Sequence, residues 1–125
     1  MNRLAVVSSG TRGIGRAIVL LFLKNGLDVV TGSRKQINID RLLSEAEAKK
    51  LPGKLYTFNG DLSGEEGVRA FVSYVHELQR PVDILVNNTG LFIPGQVNNE
   101  ADGVIEKMLE ANLLSAYRLT RGVIG

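Results

Sequence analysis

The chain of 125 residues has no cysteine and no tryptophan, a single histidine, three prolines and only 6% aromatic residues. Without cysteine there is no disulfide scaffold and no thiolate chemistry. One histidine with no cysteine beside it cannot assemble the nitrogen and sulfur ligands of a structural zinc site. That residue, His76, has no acidic or serine partner in a motif and reads as a surface side chain. The longest apolar run, Ala17 to Leu23, is far short of the ~20 residues that span a bilayer. Met1-Asn2-Arg3-Leu4 leads at once into an apolar run, so no signal peptide is expected. Neither sign of charge dominates: 15 Lys and Arg against 13 Asp and Glu leave a net charge of +2. The basic residues are dispersed, so no nucleic-acid partner is expected. The expectation is a soluble protein of the cytoplasm with no membrane contact.

What is present is the make-up of a globular chain, 44% hydrophobic and 22% charged, long enough for one domain over residues 1–125. Two kinds of segment alternate. Leu4 to Val7, Leu27 to Thr31, Lys54 to Phe58 and Val82 to Val86 are short apolar runs that read as buried strands. Between them, Ile14 to Asn25 has helical spacing and is stopped by Gly26. Ile39, Leu42, Leu43 and Ala46 form a second helical face ended by Pro52-Gly53. Val68, Phe71, Val72 and Val75 form a third, which ends by Pro81. Ser63 and Glu66 have the spacing of a capping box at the start of that third helix. A last helix is expected from about Glu100, with Ile105, Met108, Leu109, Leu113 and Ala116 facing inward and Asn112 buried among them.

Strand and helix alternating at this spacing imply right-handed crossovers and a parallel sheet covered on both faces. The expected fold class is α/β: a doubly wound, Rossmann-like sheet in three α/β/α layers, ending after the fourth strand and the helix behind it. Ligands of such sheets lie beyond the carboxyl ends of the strands, near the point where the winding reverses. Attention therefore falls on residues 8–15, 59–63 and 87–95.

The first of these reads Ser8-Ser9-Gly10-Thr11-Arg12-Gly13-Ile14-Gly15, between a strand and a helix. Glycines there admit a pyrophosphate against the backbone, and the helix N-terminus favours its charge. After the second strand comes Gly32-Ser33-Arg34-Lys35, without the acid that holds a ribose 2′-hydroxyl in an NAD site. Arg34, joined by Arg12, is suited instead to a 2′-phosphate. The expected cofactor is NADP(H). Asp61, after the third strand, is a candidate acceptor for an adenine amino group, although helix capping is open to it as well. Asn112 is either a site residue or a structural hydrogen-bonding group.

These motifs together resemble the N-terminal half of the short-chain dehydrogenase/reductase family, most closely its 3-oxoacyl-carrier-protein reductase branch. The pattern Thr-Gly-x-x-x-Gly-x-Gly falls on Ser8, Ser9, Gly10 to Arg12, Gly13, Ile14 and Gly15, with serines at the first two places. If that turn requires φ > 0, Ser9 strains it. Asn-Asn-Ala-Gly falls on Asn87, Asn88, Thr89 and Gly90, with Thr89 for alanine. Asp61-Leu62 and Asn112 also match. The resemblance implies a cofactor set of Ser9, Thr11, Arg12, Gly13, Ile14, Gly15, Arg34, Asp61, Leu62, Asn88, Thr89 and Gly90. It implies that Asn112 is a catalytic residue holding a water in a proton relay.

The reaction so implied moves a hydride from NADPH to a small-molecule carbonyl, a ketone or 3-oxoacyl group, while a tyrosine donates the proton. In the family that Tyr, its partner Lys and a Ser lie beyond the Asn helix. Tyr56, Tyr74 and Tyr117 here have no lysine four residues on; Tyr117 has Arg121, which imitates the spacing on a different helix. Two readings stay open. One is an NADPH-dependent reductase, homo-oligomeric in its full-length form, of which this is the N-terminal portion. The other is a truncated, inactive module that binds NADP(H) or a protein partner. In either case the fourth strand and the last helix are expected to lack cover, favouring self-association or loose packing.

Overall fold

The computed structural model describes residues 2–90 and 101–124. The expected helix start at Glu100 and the end of the 87–95 loop lie outside the described residues. Four parallel strands, β1 (Leu4–Val7), β2 (Asp28–Ser33), β3 (Leu55–Asn59) and β4 (Ile84–Val86), form one sheet in the order β3-β2-β1-β4. The helices are α1 (Gly13–Lys24), α2 (Gln36–Ala48), α3 (Glu65–Glu77), α4 (Val104–Leu109) and α5 (Ser115–Ile124). A π-helical turn, Glu110–Leu114, joins the last two.

The three layers follow from the strand period of two. Leu4 and Val6 of β1 pack with Val68, Phe71 and Val75 of α3 and Leu119 of α5. Ala5 and Val7 point the other way, to Val19 and Leu23 of α1 and Leu42 of α2. Every residue of β1 is buried, as a central strand covered on both faces requires. The winding reverses at β1, with β2 on one side and β4 on the other. The carboxyl ends of β1 and β4 thus open the crevice that doubly wound sheets use.

Several expectations are corrected, among them the bounds of β3, which runs from Leu55 to Asn59 rather than from Lys54 to Phe58. The strands are displaced or shortened at their ends: β2 runs two residues further, to Ser33, and β4 begins at Ile84 rather than Val82. The capping box does not form, because Gly64 occupies the cap of α3 and the Ser63 hydroxyl donates to Asp61 Oδ1 at 2.5 Å. Leu43 is exposed, and Asn38 joins Ile39 and Leu42 among the buried residues of α2.

The last helix turns a different face inward. Val104, Ala111, Ser115 and Leu119 are buried, whereas Ile105, Leu109 and Leu113 are exposed and Met108 and Ala116 half-buried. Small residues decide this, because they let the helix close on its neighbours. Ser115 Oγ donates to the Leu62 carbonyl at 2.7 Å, and a Cβ on Gly122 would lie 2.7 Å from a methyl of Val72 in α3. His76 is exposed as expected, and its Nε2 lies 2.9 Å from the Gly122 carbonyl oxygen across the same helix pair.

Candidate cofactor site

The loop after β1 is held from below by Thr31 and Ser8, which have no ligand role in the sequence pattern, and by Asn88, which has one. Thr31 of β2 is fully buried; its hydroxyl donates to the Val7 carbonyl (2.6 Å) and accepts from the Gly10 N–H (2.8 Å). Ser8 is buried as well, and its Oγ accepts the N–H groups of Asn88 (2.8 Å) and Thr89 (3.0 Å). Asn88 Nδ2 donates to the Ser9 carbonyl at 3.1 Å. The loops after β1 and β4 are therefore knitted together across the switch point. Gly15 is where Asn88 passes: a Cβ there would overlap the Asn88 amide nitrogen.

Ser9 sits at φ +54°, the left-handed region where glycine is at ease and serine is strained. Its Oγ lies 2.7 Å from Thr89 Oγ1. The two positions at which this chain departs from the Gly…Ala pattern are thus bonded to each other. Gly13 also has positive φ, +57°. Arg12 caps α1 without a side-chain hydrogen bond, and among the described residues no side chain accepts from the first-turn N–H groups. Those donors and the helix dipole are free for an anion.

Above this frame lies a cleft of about 250 Å³. Of the expected residues, Ser9, Thr11, Arg12, Arg34, Asp61, Leu62, Asn88, Thr89 and Gly90 line it. Gly13 lines an adjoining cleft of about 260 Å³. Ile14 is exposed, and Gly15 serves the packing beneath. Arg12, Arg34 and Lys35 make no ion pair or side-chain hydrogen bond among the described residues. Thr11 is buried, and its hydroxyl is likewise unpartnered there.

Asp61 Oδ1 accepts from the Ser63 hydroxyl and from the Ser63 N–H at 3.0 Å. These bonds, aided by the charge of Arg34 and opposed by partial burial, hold its carboxyl below the usual range. The carboxylate is ionised and keeps Oδ2 for another donor. Asn112 corrects the expectation of a buried amide. It is exposed, in the π-helical turn, with Oδ1 3.1 Å from where a Cβ on Gly90 would stand. Such turns recur at functional positions in helices. Tyr117, 59% exposed, is outside the cleft. Among the described residues, no group of three or more His, Asp or Glu side chains could hold a metal ion. No described helix is long and apolar enough to cross a membrane.

Residues 3–125 match the family model described as short chain dehydrogenase. The chain belongs to this family. Dehydrogenase/reductase SDR family member 11 of Bos taurus is 33% identical over 96% of this chain and 47% of its own length. The 3-oxoacyl-[acyl-carrier-protein] reductase FabG of Thermotoga maritima is 26% identical over 98% of this chain and 49% of its own. Among solved structures, L-sorbose reductase from Gluconobacter frateurii, complexed with NADPH and L-sorbose, superposes with a TM-score of 0.90. It is 28% identical over 98% of this chain and 46% of that one. The chain spans about half the length of the curated relatives it matches. Its four-stranded parallel sheet with helices on both faces is the Rossmann-like fold of this family.

Sequence reading missed Thr31 and Asn38. Thr31 gave one available signal, a polar residue inside the run Val29-Val30-Thr31, where burial obliges a hydrogen bond.

Proposed function

We propose that this chain forms the nucleotide-binding part of an NADPH-dependent short-chain reductase acting on a ketone or 3-oxoacyl carbonyl. One observation carries the cofactor choice. Arg12 and Arg34 front the same cleft, unpaired, and no carboxylate follows β2 to repel a 2′-phosphate. The pyrophosphate belongs at the uncapped start of α1 beside Gly13, and the adenine amino group at Asp61 Oδ2. Leu62 and Gly90 supply walls against the adenosine and nicotinamide ends. When bound, NADPH supplies the hydride. The residues of this chain bind and orient it, and Asn112, beside Gly90, holds a water of the proton relay. The reading includes a cytoplasmic setting and a homo-oligomeric full-length form.

Titration of the chain with NADPH and NADH tests the cofactor choice. NADPH binds more tightly, and Arg34→Asp reverses the order; equal affinities in the unmodified chain would contradict it. A second reading, a module that binds NADP(H) without turnover, is favoured for residues 1–125 by their tyrosines, none of which is followed by Lys at the fourth place. These residues alone leave NADPH absorbance at background with acetoacetyl thioesters. Turnover that Tyr117→Phe abolishes would overturn the inactivity and give Tyr117 and Arg121 a role.

A further inference from the structure

Asn38 stands in the first turn of α2 and lines the cleft together with Thr11 and Arg12 of the glycine loop. It is 8% exposed, in a helix whose other buried residues, Ile39 and Leu42, are apolar. Its side-chain amide makes no hydrogen bond among the described residues. Burying an amide in this state costs free energy unless a partner arrives. Among the described residues no polar side-chain atom is both sealed from solvent and unpartnered, so the small accessible part of Asn38 is what it presents to the clefts it lines.

The surroundings select the partner. Thr11, Arg12 and Asn38 line both the main cleft and its neighbour, so the two share one wall. Arg34 and Lys35 flank it in the main cleft. The first turn of α2 contains no acid, and its N-cap Lys35 makes no side-chain capping hydrogen bond. In the neighbouring cleft Arg16 is already engaged by Glu45. Arg12 stands with Asn38 on the shared wall, Arg34 and Lys35 lie in the main cleft and Arg41 in its neighbour, so cations outnumber the carboxylates Asp61 and Glu45, and Glu45 is already engaged by Arg16. An anion fits beside Asn38.

We infer that Asn38 is a specificity-determining residue whose side-chain Nδ2–H₂ donates to the 2′-phosphate of NADP(H) from the α2 side. The inference rests on the NADP(H) reading above and adds to it a neutral donor that Arg12 and Arg34 do not replace. An amide also discriminates by geometry, because its two N–H groups have fixed directions whereas arginine and lysine reach from long flexible stems.

The test compares adenosine 2′,5′-bisphosphate with 5′-AMP, which differ only in the 2′-phosphate, by calorimetry on the full chain. Asn38→Leu, close in volume, lowers affinity for the bisphosphate about tenfold, the scale of one hydrogen bond to a charged group, and leaves 5′-AMP within about twofold. Asn38→Asp, isosteric and anionic, lowers it further and abolishes the preference. Thermal melts confirm that each variant is folded, and the Asp variant carries the test if the Leu variant is not. An unchanged preference in a folded variant, or an equal loss for both ligands, overturns the role of Asn38 and leaves the NADP(H) reading standing. No preference in the unmodified chain overturns both.

Discussion

The two ends of the sheet use their charges in opposite ways. At the amino end, Asp28 and Arg80 are both nearly buried and paired at 2.8 Å. The other Asp28 oxygen accepts from the Lys54 N–H (2.8 Å) and from Asn2 (3.2 Å), and Arg80 also donates to the Asn2 carbonyl. Beside them Asp83 Oδ2 accepts the Leu4 N–H at 2.8 Å. The charges of Asp28, Arg80 and Asp83 are spent on the chain itself, tying β1, β2, β3 and the approach to β4. At the carboxyl end, Arg12, Arg34 and Lys35 have no such partner among the described residues, and α1 starts uncapped. Satisfied charge marks the end that holds the fold, and unspent charge marks the end where the proposed cofactor site lies.

That contrast breaks most sharply at Asp28. Replacing one partner of a buried pair leaves the other charge stranded, so Asp28→Asn lowers unfolding free energy by about 3–5 kcal/mol in urea titrations at neutral pH. The preference for NADPH over NADH stays as it was. Burial pushes the Asp28 carboxyl up, but the hydrogen bonds from Lys54, Asn2 and Arg80 outweigh it and leave it below the usual value. A carboxyl depressed in the folded state stabilises fully above its unfolded pKa of about 3.9 and loses that contribution as pH falls through the folded value. Melting temperature followed downward from pH 6 therefore falls less steeply in Asp28→Asn than in the unmodified chain.

Arg34→Asp is the opposite experiment. It exchanges a charge-assisted hydrogen bond for a repulsion and moves the NADPH/NADH affinity ratio by about a hundredfold. Unfolding free energy changes by no more than about 0.5 kcal/mol, as for an exposed residue outside any structural pair. A large loss of stability would erase the division between the two ends. The smallest effect lies where the frame meets the site. Thr89→Ala costs about 1 kcal/mol while Ser9 is present and close to nothing in Ser9→Gly, a coupling that a double-mutant cycle reads directly.

Local patterns were legible in the sequence: apolar runs for strands, the glycine loop before α1, and the missing acid after β2. So were most of the residues that the cleft brings together, because each lies at the end of a strand whose order the crossovers dictate. Pairings across the fold were not. Ser8 reaches Asn88 and Thr89 some eighty residues away, and Thr31 supports Gly10 from the next strand. Nothing local marks Asn38 as inward or Leu43 as outward, because α2 is narrow in its apolar face and only its seat on the sheet fixes the rotation. The last helix misled for a related reason: its larger apolar residues form the more conspicuous stripe, yet Ala111, Ser115 and Gly122 permit the closer approach.

The bond between Ser9 and Thr89 also constrains how the sequence can drift. From Ser9 and Thr89 to the Gly…Ala pair takes two substitutions, and the intermediates are unequal. Alanine at 89 first strands a serine in a left-handed conformation with its hydroxyl partner gone. Glycine at 9 first relieves the backbone and leaves the half-buried Thr89 hydroxyl to find water in the cleft. The two routes thus differ in height although they share both ends. A lineage moving between the pairs passes through glycine at 9 with threonine at 89, and that combination, rather than serine with alanine, is the one to seek among closely related chains.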